Sequence, residues 1–213
     1  MTLSYKLLSL SAGTIAAAGG GILLAGNKLF KGDETPKVTI RDRLQRSGYS
    51  LVLDDSKWNT VLNKYNELKN KDSIKFSTSN LDLNSLKEKC ESYLSEAENN
   101  SKYEIVKRWC VEPRKISAFL TSLNLNLLKI DGDDASNTDK SKWQKLETEY
   151  LGNTKGKIKG FSFTGEKGDE TWKKLKEKCK SLSNLEPWDD DYEESMQSTK
   201  LWCVTEAVPL DNN

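Results

Sequence analysis

The chain has 213 residues, with 33 basic and 32 acidic groups and a net charge of +1. So balanced a charge, with only 5 Arg among the cations, does not imply a nucleic-acid partner, which calls for a clustered basic face, and leaves few forks for bidentate phosphate binding. The absence of histidine excludes Ser-His-Asp and Cys-His nucleophile systems and removes the commonest metal ligand.

From Leu7 to Asn27 no residue is charged, a run of 21 positions. A helix needs roughly 20 apolar residues to cross a bilayer core, so residues 1–31 are expected to form a transmembrane anchor. Gly13, Ala17 and Gly21 recur every fourth position, a spacing that lets membrane helices pack closely and would permit a homo-oligomer. The rival reading is a cleaved signal segment, with Lys6 in the basic region and Leu7–Ala18 as its apolar stretch. Against it, the apolar run continues through Ile22, Leu23 and Leu24. Lysines flank both ends, so the positive-inside rule sets orientation poorly. Residues 32–37 read as a polar linker.

Beyond the linker the sequence repeats itself. Ser56-Lys57-Trp58 with Tyr65 returns as Ser141-Lys142-Trp143 with Tyr150. Leu86-Lys87-Glu88-Lys89-Cys90 returns as Leu175-Lys176-Glu177-Lys178-Cys179, and Trp109-Cys110-Val111 as Trp202-Cys203-Val204. Tyr103 and Tyr192 each lie 13 residues after the first cysteine of their set. The lead-in Ile40, Leu44, Tyr49, Leu51 parallels Ile116, Leu120, Leu125, Leu127. These matches define two repeat units, 38–113 and 114–213, and a tandem duplication of a small unit.

Within the first unit, residues 39–47 read as a short helix and Tyr49–Leu53 as a strand with Leu51 and Leu53 on one face. Asp54 to Ser56 are good cap types before an amphipathic helix carrying Trp58, Val61, Leu62, Tyr65 and Leu68. Ile74–Phe76 suggests a second brief strand. Asp82 leads a helix with Leu83, Leu86, Cys90, Tyr93, Leu94 and Ala97 on one face, and a last helix carries Tyr103, Val106 and Trp109. The second unit repeats this with Trp143, Leu146 and Tyr150, then Trp172, Leu175, Cys179 and Leu182, then Tyr192, Met196 and Trp202. The expected fold is mainly α, or α+β with short strands. Trp58, Tyr65, Trp109, Trp143, Tyr150 and Trp202 sit on apolar stripes and read as core rather than as a ligand site.

The four cysteines fall two per unit, 20 and 24 residues apart, and neither pair has zinc-ribbon spacing. A unit that folds alone can pair cysteines only within itself, which predicts Cys90–Cys110 and Cys179–Cys203. The alternatives are four buried thiols or a four-thiolate metal site. Disulfides need an oxidising compartment, consistent with an extracellular body beyond a membrane anchor. No cofactor or metal is expected. Gly152–Lys157 is one residue short of a phosphate loop, and Ile158 stands where Ser or Thr should hold magnesium. Asp131–Asp134 and Asp189–Asp191 lack the order of a calcium-binding loop. Asn99-Asn100-Ser101 fits a glycosylation sequon, a pattern that is frequent by chance.

The Leu-Leu-Ser-Leu start with its Ala/Gly-rich span, the Lys-rich body, the Ser-Lys-Trp openings, Lys-Glu-Lys-Cys and Arg-Trp-Cys-Val together resemble the large paralogous protein families of haemotropic mycoplasmas. The resemblance covers nearly the whole chain. It implies a membrane-anchored, surface-exposed, antigenically variable protein outside a single membrane, and it supplies no catalytic residues. The leading expectation is thus a non-catalytic interaction or antigen protein meeting a host or envelope partner. The second is an accessory envelope protein that oligomerises through its anchor. Contacts are expected where the units diverge most, at 132–140, 152–168 and 186–194.

Overall fold

Side chains that satisfy free backbone N–H groups start the helices of the first half. Thr39 opens α1 (Ile40–Arg46) through a reciprocal capping box with Asp42. Asp54 opens α2 (Asp55–Glu67) by accepting the Lys57 N–H at 2.8 Å. Asp82 opens α3 (Leu83–Leu94) from the Ser85 N–H at 2.8 Å, and Asn99 opens α4 (Asn100–Trp109). The second half runs through α5 (Ile116–Ser122), α6 (Lys140–Gly152), α7 (Thr171–Ser183) and α8 (Tyr192–Trp202). Here α5, α7 and α8 begin without a side-chain cap, so packing must hold them.

The computed structural model describes residues 37–68, 75–152, 156–163 and 170–210. The expected anchor, its Gly13, Ala17 and Gly21 stripe, and nearly all of the 32–37 linker lie outside them. Among the described residues no helix is long and apolar enough to cross a membrane. The described body is mainly α, with eight α-helices, two short 3-10 turns and no sheet.

The strands expected from the sequence shrink to single bridges. Leu51 pairs with Val111 alone, and Leu127 with Val204 alone. The expected burial phase at 49–53 is also corrected. Val52 is buried, whereas Leu53 is 89% exposed. The cause is local: Val52 N–H donates to the Cys110 carbonyl at 3.1 Å, and Asp54 begins α2 two residues later, leaving no length for a strand. Phe76 lies in irregular chain and Ile74 is outside the described residues. Likewise α3 stops at Leu94, and Ala97 leaves the helix to bridge Thr39.

Matched residues make matched contacts in the two halves. Cys90 is bonded to Cys110 and Cys179 to Cys203, each pair with Cα atoms 5.6 Å apart. The carbonyl of the last helix's cysteine accepts Val52 N–H in one half and Leu128 N–H in the other. Tyr65 stands edge-on to Trp109 at 5.0 Å, and Tyr150 edge-on to Trp202 at 4.8 Å. Each tyrosine hydroxyl, besides donating to a loop carbonyl at 2.9 Å, accepts a loop N–H: Ser77 in the first half, Ile158 in the second. The Tyr103–Tyr192 match fails. Counted back from Trp-Cys, the position of Tyr103 in α8 belongs to Met196. Tyr103 joins the first core, whereas Tyr192 joins a third cluster with Ile116, Phe119 and Leu120.

The halves also differ inside. Glu147 and Trp172 are each 1% exposed, yet Glu147 Oε1 and Trp172 Nε1 have no hydrogen-bond partner among the described residues. By register from Trp58/Trp143 and Cys90/Cys179, their counterparts are Leu62 and Leu83, both packed on the first core. An unpaired buried polar atom costs about 1–3 kcal/mol. Glu147→Leu should therefore stabilise the protein by about 1–3 kcal/mol in denaturant titration, with no change in helix content by circular dichroism. Replacing Cys179 and Cys203 together with Ser should cost about 3 kcal/mol in the same measurement, since the bond closes a 24-residue separation.

Candidate functional site

The six aromatic residues singled out from the sequence all lie in core. Trp58, Tyr65 and Trp109 belong to the first core, and Trp143, Tyr150 and Trp202 to the second. All four cysteines are bonded, so none is available as a nucleophile or ligand. The cystines place the body in an oxidising compartment, which points outside the cell.

The divergent segments have structural work. In 132–140, Asn137 is buried and donates to the Lys129 carbonyl at 2.8 Å, while Asp139 accepts the Lys129 N–H at 2.8 Å. Asp134 pairs with Lys176, a lysine that is only 2% exposed. The hydrogen bond from Lys176, with burial opposing, holds the Asp134 carboxyl below its usual range. Of 152–168, the described stretch 156–163 lies on the second core. Trp202 Nε1 donates to the Gly156 carbonyl at 2.5 Å, and Phe161 and Phe163 each pack on Tyr150 with ring centroids 5.5 Å away.

Segment 186–194 departs furthest from expectation. Its Trp188 is 7% exposed and packs in the core of the first half. Tyr192 donates to the Arg114 carbonyl at 2.9 Å, and Glu193 meets Lys107 at 3.1 Å and the Tyr49 hydroxyl at 3.4 Å. Burial pushes the Tyr49 and Tyr192 hydroxyls far above the usual phenol range, and the Glu193 carboxylate adds to both shifts. The segment therefore joins the halves through its inner face. The sequence does not reveal this, because nothing in Pro187-Trp188 says which core the indole enters.

The outer face of the same segment borders a cleft of about 280 Å³ between α7 and α8. Asp189, Asp190, Asp191 and Glu194 line it together with Lys159 and Lys178. Its wall includes Ile158, Leu182, Leu185, Ser195 and Ser198. Lys159 sits on the rim, 2.9 Å from Asp191 and 3.4 Å from Glu194. Its hydrogen bond to Asp191, reinforced by that carboxylate's charge, raises the lysine's pKa. Ser195 and Ser198 are 5% and 6% exposed. Reading the chain as one sequence passes over these serines; laying one half on the other brings them out.

A second cleft, about 240 Å³, opens where the halves meet. Arg108 lies in it opposite Asp190 and Glu193. Burial works against the charge on Arg108, and these two acids work for it. Among the described residues no group of three or more Asp, Glu or Cys is placed to hold a metal ion.

The seat of Trp188 makes a checkable demand on the first half. Trp188→Ala should lower stability by about 3 kcal/mol, the lower end for a buried Trp. It should also speed amide hydrogen exchange in α4, which lies in the other half of the chain. Faster exchange confined to 186–191 would show that the indole does not support the first core.

No family model, no curated protein and no solved structure matches the chain.

Proposed function

We propose that the body is a tandem duplicate of one disulfide-stapled helical unit, carried outside the cell on an N-terminal single-span anchor. There it binds a host or envelope partner, or is met as an antigen, and catalyses nothing. The observation that carries this reading is the pair of cystines, one closed within each half. Cystines persist in oxidising surroundings, and in a small extracellular unit they supplement a modest core.

Three further features support it. The uncharged stretch Leu7–Asn27 has the length of a membrane span. The conspicuous residue types of the sequence, Trp and Cys, have structural roles, leaving a mixed-sign, Lys-rich exterior for contact. The likeness to the haemotropic mycoplasma paralogous families points to the same surface role. Host recognition is favoured over a purely structural envelope role because the exposed parts of the divergent segments rest on two well-packed cores, and loops on rigid frames commonly carry recognition.

Protease treatment of intact cells tests display directly. Peptides from 38–213 should be released and, mapped without reductant, should carry Cys90–Cys110 and Cys179–Cys203. Purified protein should bind host red cells or antibody from infected animals. A body that stays protected in intact cells, with its cysteines free, would overturn the proposal.

A further inference from the structure

Residues lining the cleft between α7 and α8 have counterparts in the first half that contact one another. Counting from the matched cysteines, Leu182 and Leu185 correspond to Tyr93 and Glu96. Counting back from the matched Trp-Cys pairs, Ser195 and Ser198 correspond to Lys102 and Ile105. In the first half three of these positions close on one another. The Lys102 ammonium pairs with Glu96 and lies 4.7 Å from the centre of the Tyr93 ring. Tyr93 is stacked edge-on against Phe76 at 5.1 Å, and Ile105 packs on the first core. The Lys102 side chain, four carbons ending in an ammonium group, thus lies against Glu96 and Tyr93.

In the second half all four counterparts line open space. Ser195 and Ser198 replace the two long side chains by short hydroxyls, which leaves the cleft of about 280 Å³. Both serines are more than nine-tenths buried and line the cleft. Glu96 is replaced by Leu185, so its carboxylate is lost from that position. The segment 189–194 supplies carboxylates instead, with Asp189, Asp190, Asp191 and Glu194 at the cleft against Lys159 and Lys178. Asp189 uses one oxygen to accept the Glu186 N–H at 2.8 Å, and Asp191 and Glu194 share Lys159. The walls from Ile158, Leu182 and Leu185 are apolar. The result is a cleft with apolar walls, two serines in its lining and more carboxylates than lysines.

We propose that this cleft binds a primary alkylammonium group, taking from outside the chemistry that the first half supplies with Lys102. The methylenes would lie on Leu182, Leu185 and Ile158, the Ser195 and Ser198 hydroxyls would accept ammonium N–H bonds, and the carboxylates would favour the charge. Such a group comes either from a small free diamine or from a lysine side chain of a polypeptide. This inference does not rest on surface display and goes beyond it.

The test uses the full-length, oxidised chain and isothermal titration with four probes: putrescine, butylamine, butanol, and a lysine tripeptide blocked at both ends. The amines should bind saturably at one site, and butanol, which lacks the charge, should not. Saturable binding by putrescine assigns a free diamine as the source. Binding by the blocked peptide without putrescine assigns a polypeptide lysine, and either result supports the site. Ser195→Lys restores the first half's own residue and should weaken binding at least tenfold. Ser198→Ile changes no charge and should do the same by filling the cleft, which separates a true site from loose attraction to surface acids. Removing the competing rim ammonium by Lys159→Ala should tighten binding severalfold. Absence of saturable binding by both putrescine and the peptide, or full binding retained in folded Ser195→Lys or Ser198→Ile, would overturn the proposal.

Discussion

Each half depends on three consecutive residues at the end of its last helix. In the first half, Trp109 stands edge-on to Tyr65 of α2, Cys110 is bonded to Cys90 of α3, and Val111 bridges Leu51 in the segment between α1 and α2. The Cys110 carbonyl also accepts the Val52 N–H. Trp202, Cys203 and Val204 do the same with Tyr150, Cys179 and Leu127. One tripeptide therefore ties the chain back to three earlier elements by a ring contact, a covalent bond and a backbone pair. These elements are short, α1 and α5 having only 7 residues each, and helices of that length have little stability of their own. Tertiary ties must hold them, and the tripeptide supplies ties of three different physical kinds.

A half of this size is still marginal, because small domains bury a lower fraction of their surface. The third apolar cluster and Trp188 address this by making the halves share core. Ile116, Phe119 and Leu120 of α5 meet Tyr192 and Met196 of α8, while Tyr49 from the first half stacks on Phe119 at 4.6 Å. Trp188 crosses in the other direction. Contacts thus run both ways between the halves, and 186–194 is fixed along its inner face. A fixed inner face lets the outer face hold Asp189–Asp191 and Glu194 close together, although like charges repel, because Lys159 bridges two of them at the rim.

What was legible in the sequence follows from how local each cause is. Helix positions, caps and core aromatics depend on spacings of three, four and seven residues, and Trp58, Tyr65, Trp143 and Tyr150 all sit where those spacings place them. The cystine pairing needed only the repeat of Lys-Glu-Lys-Cys and Trp-Cys-Val. The strands are not legible, because alternation at 49–53 looks the same in a ladder and in a single bridge cut off by the Asp54 cap. Burial of Val52 in place of Leu53 came from a partner at Cys110, far along the chain. Trp188 and the two serines were the least legible. The seat of Trp188 is set by the packing of one half on the other, and the serines are unremarkable until Lys102 and Ile105 are placed beside them.

At several matched positions one half is self-sufficient and the other is not. Lys102, Tyr93 and Glu96 satisfy one another in the first half, and Leu62 and Leu83 pack without polar atoms. In the second half the counterparts are Ser195, Leu182, Leu185, Glu147 and Trp172, which leave a cleft and, among the described residues, two unpaired buried polar atoms. Loss of stability of this kind is characteristic of sites shaped for something other than folding. The second half also lacks side-chain caps at α5, α7 and α8, so local sequence does not offset the loss. What offsets it is the frame: the Cys179–Cys203 bond, the Tyr150–Trp202 pair and the shared third cluster. A chain with two such frames can keep one closed and leave the other open.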